Sequence, residues 1–295
     1  MRIFCLELNN DIKGLVEREE YIDDLISRLD RPDLVVLPEL ALPSYMGSDE
    51  IWQYADNNGE RTGKWAIRMA SQYSTYVAVG YLEKQGSDYY NSYLIADSKQ
   101  VYGNIRKSEG ESYVFKRGDF PNVIETPLGN IAVAICYDSR RKHFYENIRD
   151  QKISLIIFPH GSPASPKKLL NEMKTNDHLC GIYQKAYGVP VIYVNSVGRL
   201  DGTLGCTGRM MMRAGFRLNG LSKIYSETGN ILGGGIKEAI GIEVDLNDNK
   251  LIQEIEFNGD NLVKGNWLFR KIILPVDIKK GIRFYDANKQ EGITQ

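Results

Sequence analysis

The run Ile131-Ala132-Val133-Ala134-Ile135 is apolar at every position and gives way at once to Cys136-Tyr137-Asp138-Ser139-Arg140. A half-exposed strand alternates apolar and polar side chains, so an unbroken run reads as a strand covered on both faces. Such strands belong to α/β layers. The polar stretch beyond the run puts the Cys136 sulfur at the carboxyl end of the strand, the edge where open α/β sheets bind ligands. A nucleophile there stands on a rigid element with fresh backbone N–H groups just beyond it, a geometry suited to acyl chemistry.

The rest of the chain repeats the pattern. Strands are predicted at Ile3–Leu8, Leu34–Leu37, Tyr76–Tyr81, Tyr90–Ala96, Val101–Arg106, Val123–Glu125, Leu155–Phe158, Val191–Val194, Leu221–Tyr225 and Ala239–Val244. Between them Leu15, Ile22, Leu25, Ile26 and Leu29 recur at helical spacing, and further helices are expected over Asp49–Asn57, Gly63–Tyr73 and Lys142–Arg149. Ser165-Pro166 opens another helix, with Leu169, Leu170, Met173, Cys180 and Tyr183 as its core face and Gly188 as its stop. No spacer, like-charge block or repeat interrupts these elements, so one large domain over residues 1–265 is expected, followed by a tail over 266–295. The tail mixes aromatic residues (Trp267, Phe269, Phe284, Tyr285) with apolar and basic ones at little periodicity, which suits packing on a neighbouring subunit.

A net charge of -1 provides no global field for steering nucleic acid or an anionic membrane. No run approaches the roughly 18 apolar residues of a membrane span. At the N-terminus Glu7 arrives too soon for a leader core. The 4 cysteines show neither a disulfide framework nor metal-ligand spacing, so a reducing, cytoplasmic setting and no metal site are expected.

Two more ionisable residues end predicted strands. Glu39 lies just past Leu34–Leu37 among apolar neighbours, where loss of water raises a carboxylate's pKa toward the range useful for proton transfer. Lys107 follows Val101–Arg106, and a cation held beside a thiol favours the thiolate and can stabilise an oxyanion. Each residue also has a plain reading: a small buried cysteine, a helix-start glutamate, a solvated lysine. Cys5 and Cys180 keep the plain reading, and Cys206 stands open between loop thiol and pocket lining. Only a fold that joins these strand ends makes them a site.

In order along the chain, Leu37-Pro38-Glu39, Asn91-Ser92, Arg106-Lys107, Glu111 through Phe115 to Gly118-Asp119, Cys136-Tyr137-Asp138 with Arg140, and Asn195 with Gly198 resemble the nitrilase, or carbon–nitrogen hydrolase, superfamily. The resemblance implies a four-layer αββα sandwich. It also implies a triad of Glu39 as general base, Lys107 as its lysine and Cys136 as nucleophile, with no cofactor or metal. Glu111 falls on a second glutamate that orients lysine and substrate, preferred over Glu109 for its register with Phe115 and Gly118. The Tyr137 N–H is expected at the oxyanion, and His160 either lines the pocket or is a hydrogen-bonded structural histidine. Asp138 is expected to accept backbone N–H groups and Arg140 to pair with a carboxylate, while His143 and His178 read as surface residues.

The implied activity is hydrolysis of the C–N bond of a small carboxamide or N-carbamoyl compound through a Cys136 thioester, in a homo-oligomer paired around the helix after the nucleophile. Tyr137-Asp138 after the cysteine leans toward amidases. A nitrilase stays open; a glutamine-type amide hydrolase feeding ammonia to a partner finds no support in the sequence, and intact Glu39, Lys107 and Cys136 argue against a catalytically silent scaffold on the same fold. A reactive Cys136 of low pKa is what the enzyme reading expects. The short Lys107–Glu111 segment, the run Arg141-Lys142-His143 and the unpatterned residues 199–220 depart from the family and leave the substrate unassigned.

Overall fold

Parallel pairing at the centre of two sheets accounts for the unbroken apolar runs. The computed structural model describes residues 1–119, 121–263 and 269–289. Its first sheet runs in the order Ala239–Glu243, Arg2–Leu6, Leu34–Val36, Tyr76–Gln85, Asp88–Ala96, Val101–Arg106. The second runs Ile231–Gly233, Lys223–Tyr225, Val191–Asn195, Leu155–His160, Gly129–Val133, Val123–Thr126. Arg2–Leu6, Leu34–Val36 and Tyr76–Gln85 are parallel, as are Gly129–Val133, Leu155–His160 and Val191–Asn195, and antiparallel strands close both edges.

The two-residue alternation of a strand then sorts side chains between layers. Leu34 and Val36 enter a core shared with Ile131, Val133, Ile157 and Val194 of the second sheet. Val35 and Leu37 face the other way, onto helices α1 (Leu15–Ser27) and α2 (Glu60–Tyr73). Ala132, Ile156 and Phe158 likewise pack against α3 (Lys142–Ile148) and α4 (Leu169–Tyr187). The layers are therefore helix, sheet, sheet, helix, and the chain adopts the αββα arrangement expected of it.

Local differences have local causes. The expected helix over Asp49–Asn57 is a 3-10 turn, Asp49–Tyr54, followed by a two-residue strand, Asp56–Asn57. There Asp56 turns its carboxylate to the N–H groups of Arg61 and Thr62, at 3.1 and 2.6 Å, and so starts α2 three residues before the expected Gly63. Leu170, expected in the core, is 72% exposed because α4 has yet to reach the sheet in its first turn. Residues 199–220 contain helix α5 (Gly205–Arg213).

The tail differs most. Leu274–Asn288 forms helix α6, which packs on its own chain: Tyr285 is buried and the Phe284 ring meets Tyr113 at 5.7 Å. Trp267 and the Phe269 side chain lie outside the described residues. Among those described, no helix is long and apolar enough to cross a membrane.

Candidate active site

The strand ends picked out by the sequence meet at one edge of the sandwich. After Leu34–Val36 the chain turns through Leu37-Pro38-Glu39 into Leu40 at φ 48°. This turn lies against Gly80, where a Cβ would stand 2.6 Å from the Pro38 carbonyl oxygen. Glu39 is fully buried. Its Oε1 accepts from Asn91 Nδ2 at 2.7 Å and Lys107 Nζ at 2.6 Å, and its Oε2 from the Gly161 N–H at 2.5 Å. Burial raises its pKa, and the Lys107 charge only partly opposes the rise.

Lys107 leaves the end of Val101–Arg106, whose two antiparallel steps from Tyr76–Gln85 return it to the same edge. Its ammonium reaches Glu111 Oε1 at 2.8 Å as well as Glu39. Burial works against this ammonium, but the Glu111 and Glu39 carboxylates outweigh it and hold its pKa well above the usual lysine value. Lys107 is thus a fixed cation. Glu111 Oε1 also accepts from the Tyr45 hydroxyl at 3.0 Å, whereas its Oε2 is buried with no partner. Glu109 turns away to Arg117 and Arg141, both at 3.0 Å, which agrees with the preference for Glu111.

The strand carrying Cys136 ends at Val133, and Cys136 itself begins a 3-10 turn, Cys136–Arg140. Its φ is 52°, in the left-handed region that a β-carbon disfavours. Strain of this kind gathers where a side chain must be aimed. The partly exposed cysteine faces a cavity, and its sulfur lies 3.4 Å from Ser162 Oγ. Burial first, and then the Glu39 carboxylate, push its thiol up to about 12, with Lys107 pulling the other way. The thiol thus stands above, not below, its ordinary value: a cation acts on it, but lost water and the Glu39 carboxylate outweigh that cation. Tyr137 lines the same cavity, and its N–H, in the first turn of the helix, has no carbonyl ahead of it in that helix to bond. Its hydroxyl is occupied by Asn261 at 2.9 Å.

Asp138 ties the two loops together. Its carboxylate accepts the Ser108 and Glu109 N–H groups, both at 2.8 Å, so the turn after the cysteine grips the turn after the lysine. Burial raises its pKa to about 6, against the pull of those N–H groups and Lys107. Asp138→Ala should strand the buried Ser108 N–H and the part-buried Glu109 N–H, lowering unfolding stability by on the order of 2 kcal/mol. It should also cost turnover at least about tenfold, because misplaced reacting groups lose their alignment. Thermal unfolding and kcat/KM measured together test this; a variant of unchanged kcat/KM would show that the tie does not position the site.

Of the two readings of His160, the structure shows the hydrogen-bonded structural one. It is fully buried and absent from the cavity wall, with Nδ1 2.8 Å from Ser162 Oγ, Nε2 3.4 Å from Ser139 Oγ, and its ring tilted against Tyr193 at 4.3 Å. Burial, then Arg140 and Lys107, hold its pKa well below the usual value, so it supports Ser162 as a neutral ring. Arg140 pairs with Glu172 at 2.6 Å, as expected. His143 is half-buried rather than on the surface, with Nε2 3.0 Å from Ser108 Oγ, while His178 is exposed.

Tyr45, Asn91 and Ser162 each touch one of the sequence-derived residues, and none was assigned a role from sequence. Asn91 carried a usable signal, a polar residue within an apolar strand pattern. Asn195 holds the Ser162 N–H at 3.1 Å, and its Nδ2 donates to the Ser162 carbonyl at 3.0 Å. Among the described residues no group of three or more His, Cys, Asp or Glu side chains is placed to hold a metal.

Above Cys136 opens a cavity of about 750 Å³. Tyr45, Glu111 and Gly161 share its floor with the cysteine, and α5 and α6 contribute to its wall. Asp277 of α6 accepts the Cys206 and Thr207 N–H groups at the start of α5, both at 2.9 Å, and the Tyr113 hydroxyl at 3.1 Å. Tyr285 accepts the Tyr89 N–H at 2.8 Å.

Comparison with known proteins agrees with this architecture. A probable nitrilase of Schizosaccharomyces pombe is 29% identical over 139 residues, which span 44% of this chain and only 51% of that protein. A 2-oxoglutaramate amidase of Paenarthrobacter nicotinovorans is 23% identical over 264 residues, 80% of each chain. The crystal structure of a carbon-nitrogen hydrolase from Helicobacter pylori superposes with a TM-score of 0.68 at 17% identity, covering 83% of this chain and 89% of the other. The family model described as carbon-nitrogen hydrolase matches residues 10–254, from the first strand crossover to beyond the last strand of the sandwich, and the chain belongs to that family.

Proposed function

We propose that the protein hydrolyses the C–N bond of a carboxamide through a thioester on Cys136. The observation that carries this reading is the buried Glu39–Lys107 contact at 2.6 Å, acting electrostatically on a thiol that faces the cavity. With its pKa near 12 the sulfur holds its proton at neutral pH, so proton removal must accompany attack. Glu39 takes that proton as the sulfur bonds to the amide carbon. The developing oxyanion is met by Lys107 and the Tyr137 N–H, donors already fixed in place. Glu39 returns the proton to the amide nitrogen, the C–N bond breaks, and ammonia or an amine leaves. Glu39 then deprotonates a water that attacks the thioester, the C–S bond breaks, and the sulfur takes back the proton.

Glu111 favours an amide over a nitrile. Its Oε2 is a buried acceptor without a donor, and such a group costs stability unless paired. An amide nitrogen brings N–H groups to it and a nitrile brings none. The relatives named for amidase and nitrilase activity support C–N chemistry in general. Self-association and a cytoplasmic setting belong to this proposal, the first to be read from sizing in solution.

Incubation with a panel of amides and nitriles, measuring released ammonia and the acyl mass added to Cys136, tests the reading; no ammonia and no adduct would reject it in favour of a silent scaffold. The pH profile gives a second test. Glu39 must be ionised to act, and its pKa is raised, so the acid limb of kcat/KM should lie above the ordinary glutamate value of about 4.3. Rate is then lost as pH falls through the raised value. The Cys136 thiol should impose no inflection between pH 7 and 10. A limb at or below the ordinary value would assign the base elsewhere.

A further inference from the structure

Two properties of the cavity narrow the substrate. Its upper wall is apolar, built from Leu200, Leu204 and Met211 on and before α5, and Leu274, Ile278 and Ile282 of α6. At about 750 Å³ it falls in the range of sites that enclose ligands of drug size, so an amide of two or three carbons would leave most of it empty.

The charges around it exclude a second class. Among the described residues three cations line the cavity, and each is paired: Lys116 with Asp88 at 2.6 Å, Lys289 with the same Asp88 at 2.6 Å, and Arg117 with Glu109 at 3.0 Å. Glu111, Asp277 and Asp286 add further carboxylates to the lining. Lys107 lies beneath, held between Glu39 and Glu111. Among the described residues, then, carboxylates outnumber cations around the cavity, and each lining cation already has a carboxylate partner with which a substrate anion would compete. An acyl chain ending in a carboxylate would lose water and meet like charge.

We propose that the substrate is a neutral primary amide with a bulky apolar acyl group, which α5 and α6 enclose while the carboxamide reaches Cys136. This rests on the amide-hydrolase reading above. It sets the chain apart from its relative named for 2-oxoglutaramate, an anionic amide. Leu204, Met211, Ile278 and Ile282 act in specificity: they touch the acyl chain, not the reacting atoms. Burying that chain should raise kcat/KM by about fourfold for each added methylene until the cavity is full.

Ammonia release from acetamide, butanamide, hexanamide and octanamide, and from ω-carboxylate amides of matched length, tests the proposal on the full chain. The expected result is a rise of at least 100-fold from acetamide to octanamide. The neutral amide should exceed its anionic counterpart at least tenfold. Ile278→Trp, which fills the cavity, should cut the octanamide-to-acetamide ratio at least tenfold, with thermal unfolding confirming the fold. A flat chain-length series, preference for the anionic amides, or an unchanged ratio in Ile278→Trp would overturn it while leaving amide hydrolysis standing. Absence of ammonia and of any Cys136 adduct across the whole panel would instead remove the hydrolase reading itself.

Discussion

Glu39→Gln should lose amide turnover by about 10³-fold while making Cys136 more reactive toward a simple alkylating agent. The loss follows from the role of the carboxylate: general-base assistance contributes about 10²–10⁴-fold, and glutamine carries no base. The gain follows from electrostatics. After burial, the Glu39 charge is the largest influence raising the Cys136 thiol, and Lys107 is what lowers it. With Glu39 neutral, the cation acts with less opposition and the thiol pKa should fall, by on the order of one unit. Lys107 keeps its position through Glu111 at 2.8 Å. The measurement is iodoacetamide alkylation of Cys136 followed by mass across pH, in a Cys206→Ser background because Cys206 is the exposed thiol, beside ammonia release from the same preparation. Turnover within tenfold of the unaltered protein would remove Glu39 as the base. Slower alkylation would show that the carboxylate activates the resting thiol.

Cys136→Ala should abolish turnover, by about 10⁵-fold or more, since removal of a nucleophile leaves only binding and oxyanion stabilisation. Cys136→Ser should recover little of it, because a hydroxyl gives up its proton far less readily than a thiol. A third substitution at this site separates chemistry from backbone strain. At φ 52° any residue with a β-carbon is disfavoured by about 1 kcal/mol or more, and glycine is not. In ordinary helix or strand interiors alanine is the more stable of the two by roughly 0.5–1 kcal/mol. Here Cys136→Gly should unfold at the higher temperature. Both variants lack the sulfur, so their difference reports the strain set against glycine's ordinary entropic deficit. The usual order, with alanine the more stable, would mean that any strain at Cys136 is smaller than that deficit.

The sandwich and its reactive edge were legible because apolar runs mark buried strands: Glu39 and Cys136 each follow such a run closely, and Lys107 follows the more mixed strand Val101–Arg106. What surrounds them was not. The thiol pKa depends on how much water the fold removes and on whether a carboxylate or an ammonium acts more strongly, and both are tertiary facts. Tyr45 and Ser162 are single polar residues in loops, without a period to single them out. His160 stood open between pocket lining and structural support because it ends a strand; the chain continues one residue to Gly161 before it meets Glu39 and the cavity. Helix α6 escaped notice because its apolar residues run round the cylinder: Val276 and Ile282 are 53% and 47% exposed, while Tyr285 is buried. A helix apolar on several sides blurs the period by which helices are read.

The division of labour between sheets and the last two helices bears on how the protein can diverge. Glu39, Lys107 and Cys136 hang from rigid strand ends, whereas much of the wall opposite them belongs to α5 and α6, joined to each other and to the Tyr113 loop through Asp277. Exchanging residues on those helices reshapes what enters without disturbing what reacts, so new substrate ranges lie a few substitutions away on a scaffold whose chemistry is left intact.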